Sequence, residues 1–205
     1  MGMVVGYQGT PFQDSVCPGG PQVIPGRVMC AWYDFGGEGV AYHDTIEVNQ
    51  GSGRLNPANG TYLHEFRIAE SVDTTYTKTG GVDDSEFNFV APELGVPYVG
   101  WTEPGEWVKY TVDVKKSGRY SVNLLFTSNR GGKISLSIND KDVTGPIEIP
   151  STFVAEDPLD WRQWHHWNIL RGMTVIRLEA GVQVLTLHTV ENGQMNYNYL
   201  EFVAE

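Results

Sequence analysis

Between residues 107 and 139 the chain alternates apolar and polar side chains three times in succession. Val108, Tyr110, Val112 and Val114 alternate with Lys109, Thr111 and Asp113. Tyr120, Val122, Leu124 and Phe126 repeat the pattern, as do Ile134, Leu136 and Ile138. A period of two places one set on a single face of an extended strand, whereas a helix of period 3.6 would scatter it. Lys116-Ser117-Gly118, Asn129-Arg130-Gly131-Gly132 and Asn139-Asp140-Lys141-Asp142 separate or end these runs, and each is rich in turn formers. Further strands are expected at 144–150, 163–170, 173–179, 182–190 and 196–203. Short strands at this spacing predict an all-β chain, a β-sandwich jelly roll of two antiparallel sheets.

The rest of the sequence fits one such domain. Its 205 residues carry 24 glycines and 11 prolines spread along the chain, which suits many turns rather than a low-complexity tract. Residues 1–25 read as an N-terminal arm or linker and 26–205 as the sandwich, with long polar loops at 49–65 and 77–97. The net charge of -11 repels phosphate backbones and anionic lipid, so nucleic acid and membrane surfaces are not expected partners. No apolar run reaches the roughly 18–20 residues of a membrane span. The opening residues have neither a basic nor an apolar leader segment, so location must be inferred indirectly, and a leader and further domains are expected outside this sequence. Cys17 and Cys30 match no zinc spacing; they could pair as a disulfide or stay as two thiols.

Three stretches, in order, carry a resemblance. They are residues 24–45, residues 98–124 (with the run Gly100-Trp101-Thr102-Glu103-Pro104-Gly105-Glu106-Trp107), and a C-terminal set from Leu159 to Phe202. Together they resemble carbohydrate-binding module family 6. The resemblance implies a two-sheet jelly roll, non-catalytic, monomeric, and appended to a secreted glycoside hydrolase outside the cytoplasm. It implies a sugar ring held between two aromatic side chains in a loop cleft and hydrogen-bonded by an Asn. Position by position, Trp101 matches the first aromatic, Trp161 the second and Asn196 the amide. A polar residue after Gly39-Val40 falls at His43 or Asp44, with Tyr42 beside them. Trp107 and Trp164 are read as strand residues. Asn196 shares strand parity with Leu200 and Phe202, so its place near the start of the strand is what lets it reach a cleft.

The chemistry suits these residue types. A pyranose has an apolar C–H face that lies on an indole and a hydroxyl rim that meets an amide, which is donor and acceptor in one planar group. The family's structural calcium is a point of departure. Met29 and Ala31 stand where the first strand would carry carboxylates, and neither supplies the oxygen a hard cation needs. No cofactor is therefore expected, although Asp34, Glu201 and backbone carbonyls could rebuild a calcium site elsewhere.

Two other functions compete. A glycosidase would need two facing carboxyls, for which Glu103, Glu106, Asp157 and Asp160 are the candidates. A structural or protein-interaction domain would fit the altered first strand and the long loops. His43-Asp44 is the chain's one His-Asp pair, but no G-x-S-x-G or other nucleophile motif accompanies it. His165 and His166 are adjacent and would point to opposite faces of a strand, which forbids one shared metal.

Overall fold

The computed structural model describes residues 6–205, and its regular structure is almost entirely strand. In chain order the strands are β1 (Gln22–Ile24), β2 (Gly26–Met29), β3 (Tyr42–His43), β4 (Thr74–Tyr76), β5 (Pro97–Val99), β6 (Trp107–Val114) and β7 (Gly118–Ser128). They continue with β8 (Gly132–Ile138), β9 (Lys141–Asp142), β10 (Ile147–Ile149), β11 (Asn168–Leu178), β12 (Gly181–Glu191) and β13 (Met195–Ala204). One sheet runs β1-β6-β12-β8-β10, with β3 beside β6 and β9 beside β8. The other runs β11-β7-β13-β5-β4, with β2 beside β13. All pairs are antiparallel except β1, which lies parallel to β6.

The alternation sets the core. Val108, Tyr110, Val112 and Val114 of β6 meet Tyr120, Val122, Leu124 and Phe126 of β7 and Ile134, Leu136 and Ile138 of β8 in one buried cluster. On the other face of β6, Asp34 caps Thr111, taking its N–H at 2.9 Å and its hydroxyl at 2.6 Å.

Several expectations change. From Thr10 onward the arm is folded down: Thr10 bridges to Phe35, residues 22–24 become β1, and Phe12 and Cys17 bury with Ala31 and Phe66. Apolar side chains at 12 and 17 gain by leaving water, which a free linker would not allow. Both cysteines are buried free thiols in different clusters, Cys30 belonging to the main core. Burial pushes the Cys30 thiol up to about 12. The two strands expected at 163–170 and 173–179 are one strand, β11, with a bulge between Leu170 and Thr174 where the Gly172 N–H turns to Asn123 Oδ1 at 2.8 Å. Residues 163 and 164, expected to begin the first of these strands, end a 3-10 turn at 160–164 instead.

The 77–97 loop covers the outer face of the second sheet. Phe89 and Val90 donate their N–H groups to the Trp167 carbonyl at 2.9 and 3.0 Å. Beneath, Tyr98, Leu125, Trp167 and Tyr199 form a small apolar cluster of their own.

Candidate functional site

Three segments converge at one end of the sandwich: residues 100–106 between β5 and β6, the 3-10 turn at 160–164, and residues 192–194 between β12 and β13. The first and third are clamped together. Thr102 Oγ1 donates to the Met195 carbonyl at 2.9 Å and accepts the Met195 N–H at 3.1 Å, and the Gln194 N–H meets the Thr102 carbonyl. Gly193 makes this approach possible, because a Cβ there would collide with the Thr102 carbonyl oxygen. Trp101 sits at φ 49°, a left-handed conformation costly for a side chain of its size, and Gln194 lies at φ 58°. Such strain persists only where the surroundings over-determine it, and here the Thr102–Met195 clamp does so.

These segments enclose a cleft of about 460 Å³. Trp101, Trp161 and Asn196, the three residues matched in the sequence, all line it. Trp161 is 50% exposed, so its ring is available to a ligand. Asn196 sits at the base. Its Nδ2 donates to Thr127 Oγ1 at 2.9 Å and to the Trp164 carbonyl at 2.7 Å. A carbonyl can only accept, so the amide orientation is fixed and Oδ1 is left facing away from those partners. Among the described residues nothing donates to that Oδ1, and Gly100 leaves room for it: a Cβ at Gly100 would stand 2.7 Å away.

The parity argument for Asn196 is corrected by β13. A bulge between Tyr197 and Tyr199 shifts the alternation, so Tyr197 is inward before it while Leu200 and Phe202 are inward after it. Asn196 therefore does not share the core face with Leu200 and Phe202.

Trp164, Tyr98, Leu55, His165 and Gln194 complete the cleft lining. Trp164, expected on a strand, is in the 3-10 turn, where residues three apart eclipse; that puts it on the same side as Trp161. The Trp161-x-x-Trp164 spacing was the available sign. Leu55, 53% exposed, comes from the 49–65 loop, which Asn49 holds by accepting the N–H groups of Gly51 and Ser52 at 2.9 Å each and of Thr74 at 3.1 Å. No short-range pattern announces a contact made across such a loop.

Tyr42, His43 and Asp44 do not join the cleft. Tyr42 is in the core, edge-on to Tyr33 with centroids 5.5 Å apart, because β3 adds to β6 and turns that residue inward. His43 and Asp44 border a separate hollow of about 20 Å³ with Glu106, room for about one water and not for a sugar ring. Burial pushes the Asp44 carboxyl up to about 6, and Asp73 nearby up to about 7, the latter raised further by the charges of Asp44 and Glu106. Trp107 stays on the outer face of its sheet, its ring 5.1 Å from Lys109 Nζ.

Two of the four candidate carboxylates, Glu106 and Asp157, are otherwise engaged. Glu106 accepts the N–H and hydroxyl of Thr45 at 3.1 and 2.7 Å and the Glu103 N–H at 2.7 Å. Asp157 accepts Arg162 Nε at 2.6 Å and Nη2 at 2.8 Å and contacts His166 Nε2 at 2.7 Å, and the Arg162 hydrogen bonds hold its carboxyl well below the usual carboxylate range. The first-strand calcium does not fit: Met29 and Ala31 offer no oxygen, Asp34 is spent on Thr111 and Tyr7, and Glu201 on Asn123. Among the described residues no three His, Cys, Asp or Glu side chains are placed to hold a metal.

The sequence matches the family described as carbohydrate binding module (family 6) over residues 74–204, more than half of the chain. No curated protein matches it. Among solved structures it is similar to a β-1,3-glucan binding family-6 module from Bacillus halodurans: 18% identity, TM-score 0.53, covering 90% of this chain and 100% of that one. It is also similar to part of a family 43 arabinoxylan arabinofuranohydrolase from Bacillus subtilis, solved with cellotetraose: 14% identity, TM-score 0.55, covering 95% of this chain and 33% of that one. At these identities the likeness establishes the β-sandwich fold.

Proposed function

This chain belongs to carbohydrate binding module family 6, and on that premise we propose that it binds a poly- or oligosaccharide in the cleft between Trp101 and Trp161, without catalysis. The observation that carries the reading is the convergence of two indoles and an amide with a free acceptor in one cleft of about 460 Å³. The indoles take the C–H faces of a sugar ring, and Asn196 Oδ1 takes a hydroxyl proton. If sugar covers about a third of the ~200 Å² each ring can bury, each contributes about 1.5–2 kcal/mol. Two rings alone then give roughly millimolar binding, and hydrogen bonds add to it.

Binding this weak is most useful when tethered. We read the module as part of a secreted glycoside hydrolase, where attachment to the polymer raises the enzyme's effective concentration. The occupied states of Glu106 and Asp157 favour this over a hydrolytic role for the domain itself. The test is calorimetric titration of a soluble β-1,3-glucan and of cellotetraose into the wild type and into Trp101→Ala plus Trp161→Ala. The double variant should lose more than about a hundredfold in affinity, from the roughly 3–4 kcal/mol the rings supply. Equal binding by the two proteins would remove the cleft assignment.

A further inference from the structure

The long loop at 77–97 ends one of its turns beneath the cleft, at Asp83. This carboxylate is fully buried. Its Oδ2 accepts the Lys78 N–H at 2.7 Å, and its Oδ1 accepts the Trp167 indole N–H at 2.7 Å. The same Oδ1 lies 2.9 Å from Nδ1 of His165, a residue that lines the cleft beside Asn196.

We infer that His165 is a further sugar-contacting residue, presenting Nε2 as a hydrogen-bond acceptor, and that Asp83 is the positioning residue that makes it one. The inference rests on the carbohydrate reading of the cleft. In the tautomer that donates Nδ1–H to the Asp83 carboxylate, Nε2 keeps its lone pair. Nε2 lies on the ring edge away from Asp83, and among the described residues nothing bonds to it. The ring itself is braced, edge-on to Trp161 with centroids 5.9 Å apart.

The cleft thus offers two acceptors, Asn196 Oδ1 and His165 Nε2, each set by what its other polar atom does. The ligand class follows. It is a sugar that presents two free hydroxyls to these acceptors as donors. A ring with those hydroxyls O-methylated has no proton to give and leaves both acceptors desolvated.

The test uses the full chain, 15N-labelled, at neutral pH. Two-bond ¹H–15N correlation of the imidazoles, with His165 assigned by its loss in His165→Asn, should show Nδ1 protonated and Nε2 unprotonated. Saturation with a soluble β-1,3-glucan or cellotetraose should move the Nε2 resonance. His165→Phe keeps the ring without Nε2, and His165→Asn keeps a donor toward Asp83 without Nε2. Both should bind about fivefold more weakly than the wild type while remaining folded. Asp83→Asn should mix the two tautomers and weaken binding with them, and a per-O-methylated cello-oligosaccharide should not bind. If the wild type binds glucan but both His165 variants bind equally well, or Nε2 does not move, His165 is not a contact and the cleft reading stands. If the wild type binds nothing on a broad glycan array, the carbohydrate reading falls and this inference falls with it.

Discussion

Two regions at the same end of the molecule look alike in sequence and differ in structure. The Trp101, Trp161 and Asn196 set and the Tyr42-His43-Asp44 run each combine aromatic with polar side chains, and both were candidates for one site. The residues 100–102 separate them. Trp101 faces the cleft of about 460 Å³, while Gly100 and Thr102 border the hollow of about 20 Å³ behind it. The difference lies in how the polar groups are used. Asn196 spends its donors on Thr127 and Trp164 and keeps an acceptor free, whereas Asp44 spends an oxygen on the nearby Ile46 N–H at 2.8 Å. The cleft holds Trp101 at a strained φ and Trp161 half exposed; the corner holds satisfied or crowded groups. Recognition surfaces are assembled from residues the fold itself does not need in that state.

Trp101→Gly is the sharpest way to exploit that contrast. Glycine accepts the φ of 49° without strain, so the variant should lose one platform, about tenfold or more in affinity, with no fall in Tm. Calorimetry paired with thermal melts reads both. Asn196→Ala should follow, with about a fivefold to tenfold loss from one hydrogen-bonding group. A similar titration of His43→Ala and of Asp44→Ala should stay within about twofold of the wild type; a tenfold loss in either would place the corner in the site after all.

The smallest effect concerns pH. Asp44 and Asp73 start from the ordinary carboxylate range and are raised to about 6 and about 7 by burial. The folded chain therefore keeps protons that the unfolded chain sheds above about pH 4. The stability these groups contribute is present below that point and is lost as pH rises through about 7. Asp73→Asn should flatten that part of the Tm profile between pH 4 and pH 7 by about 1–2 °C, with glucan binding at pH 7 little changed. An unaltered profile would mean that the corner's carboxylates are not crowded.

Much of the fold was legible because alternation is a local signal. Val108 to Val114 and Tyr120 to Phe126 entered the core as their parity required. That Trp101, Trp161 and Asn196 would meet in one cleft was expected from family resemblance rather than from pattern. What escaped depends on contacts distant in sequence or on local irregularity. The bulge at Tyr197/Tyr199 moved Asn196 off the core parity, and the 3-10 turn brought Trp164 into the cleft. Leu55 and Asp83 act across long loops whose closure leaves no periodic trace. The arm could not be read because Phe12 and Cys17 bury against Ala31 and Phe66, partners that only the folded chain brings near.

The most direct test of the account is a chemical-shift titration of the 15N-labelled chain with a soluble β-1,3-glucan. Saturating shifts should appear at the Trp101 and Trp161 indole N–H groups and at the Asn196 and Gln194 amides, with His43, Asp44 and the Tyr42 backbone unmoved. Shifts centred on His43 and Asp44, or on neither region, would contradict it.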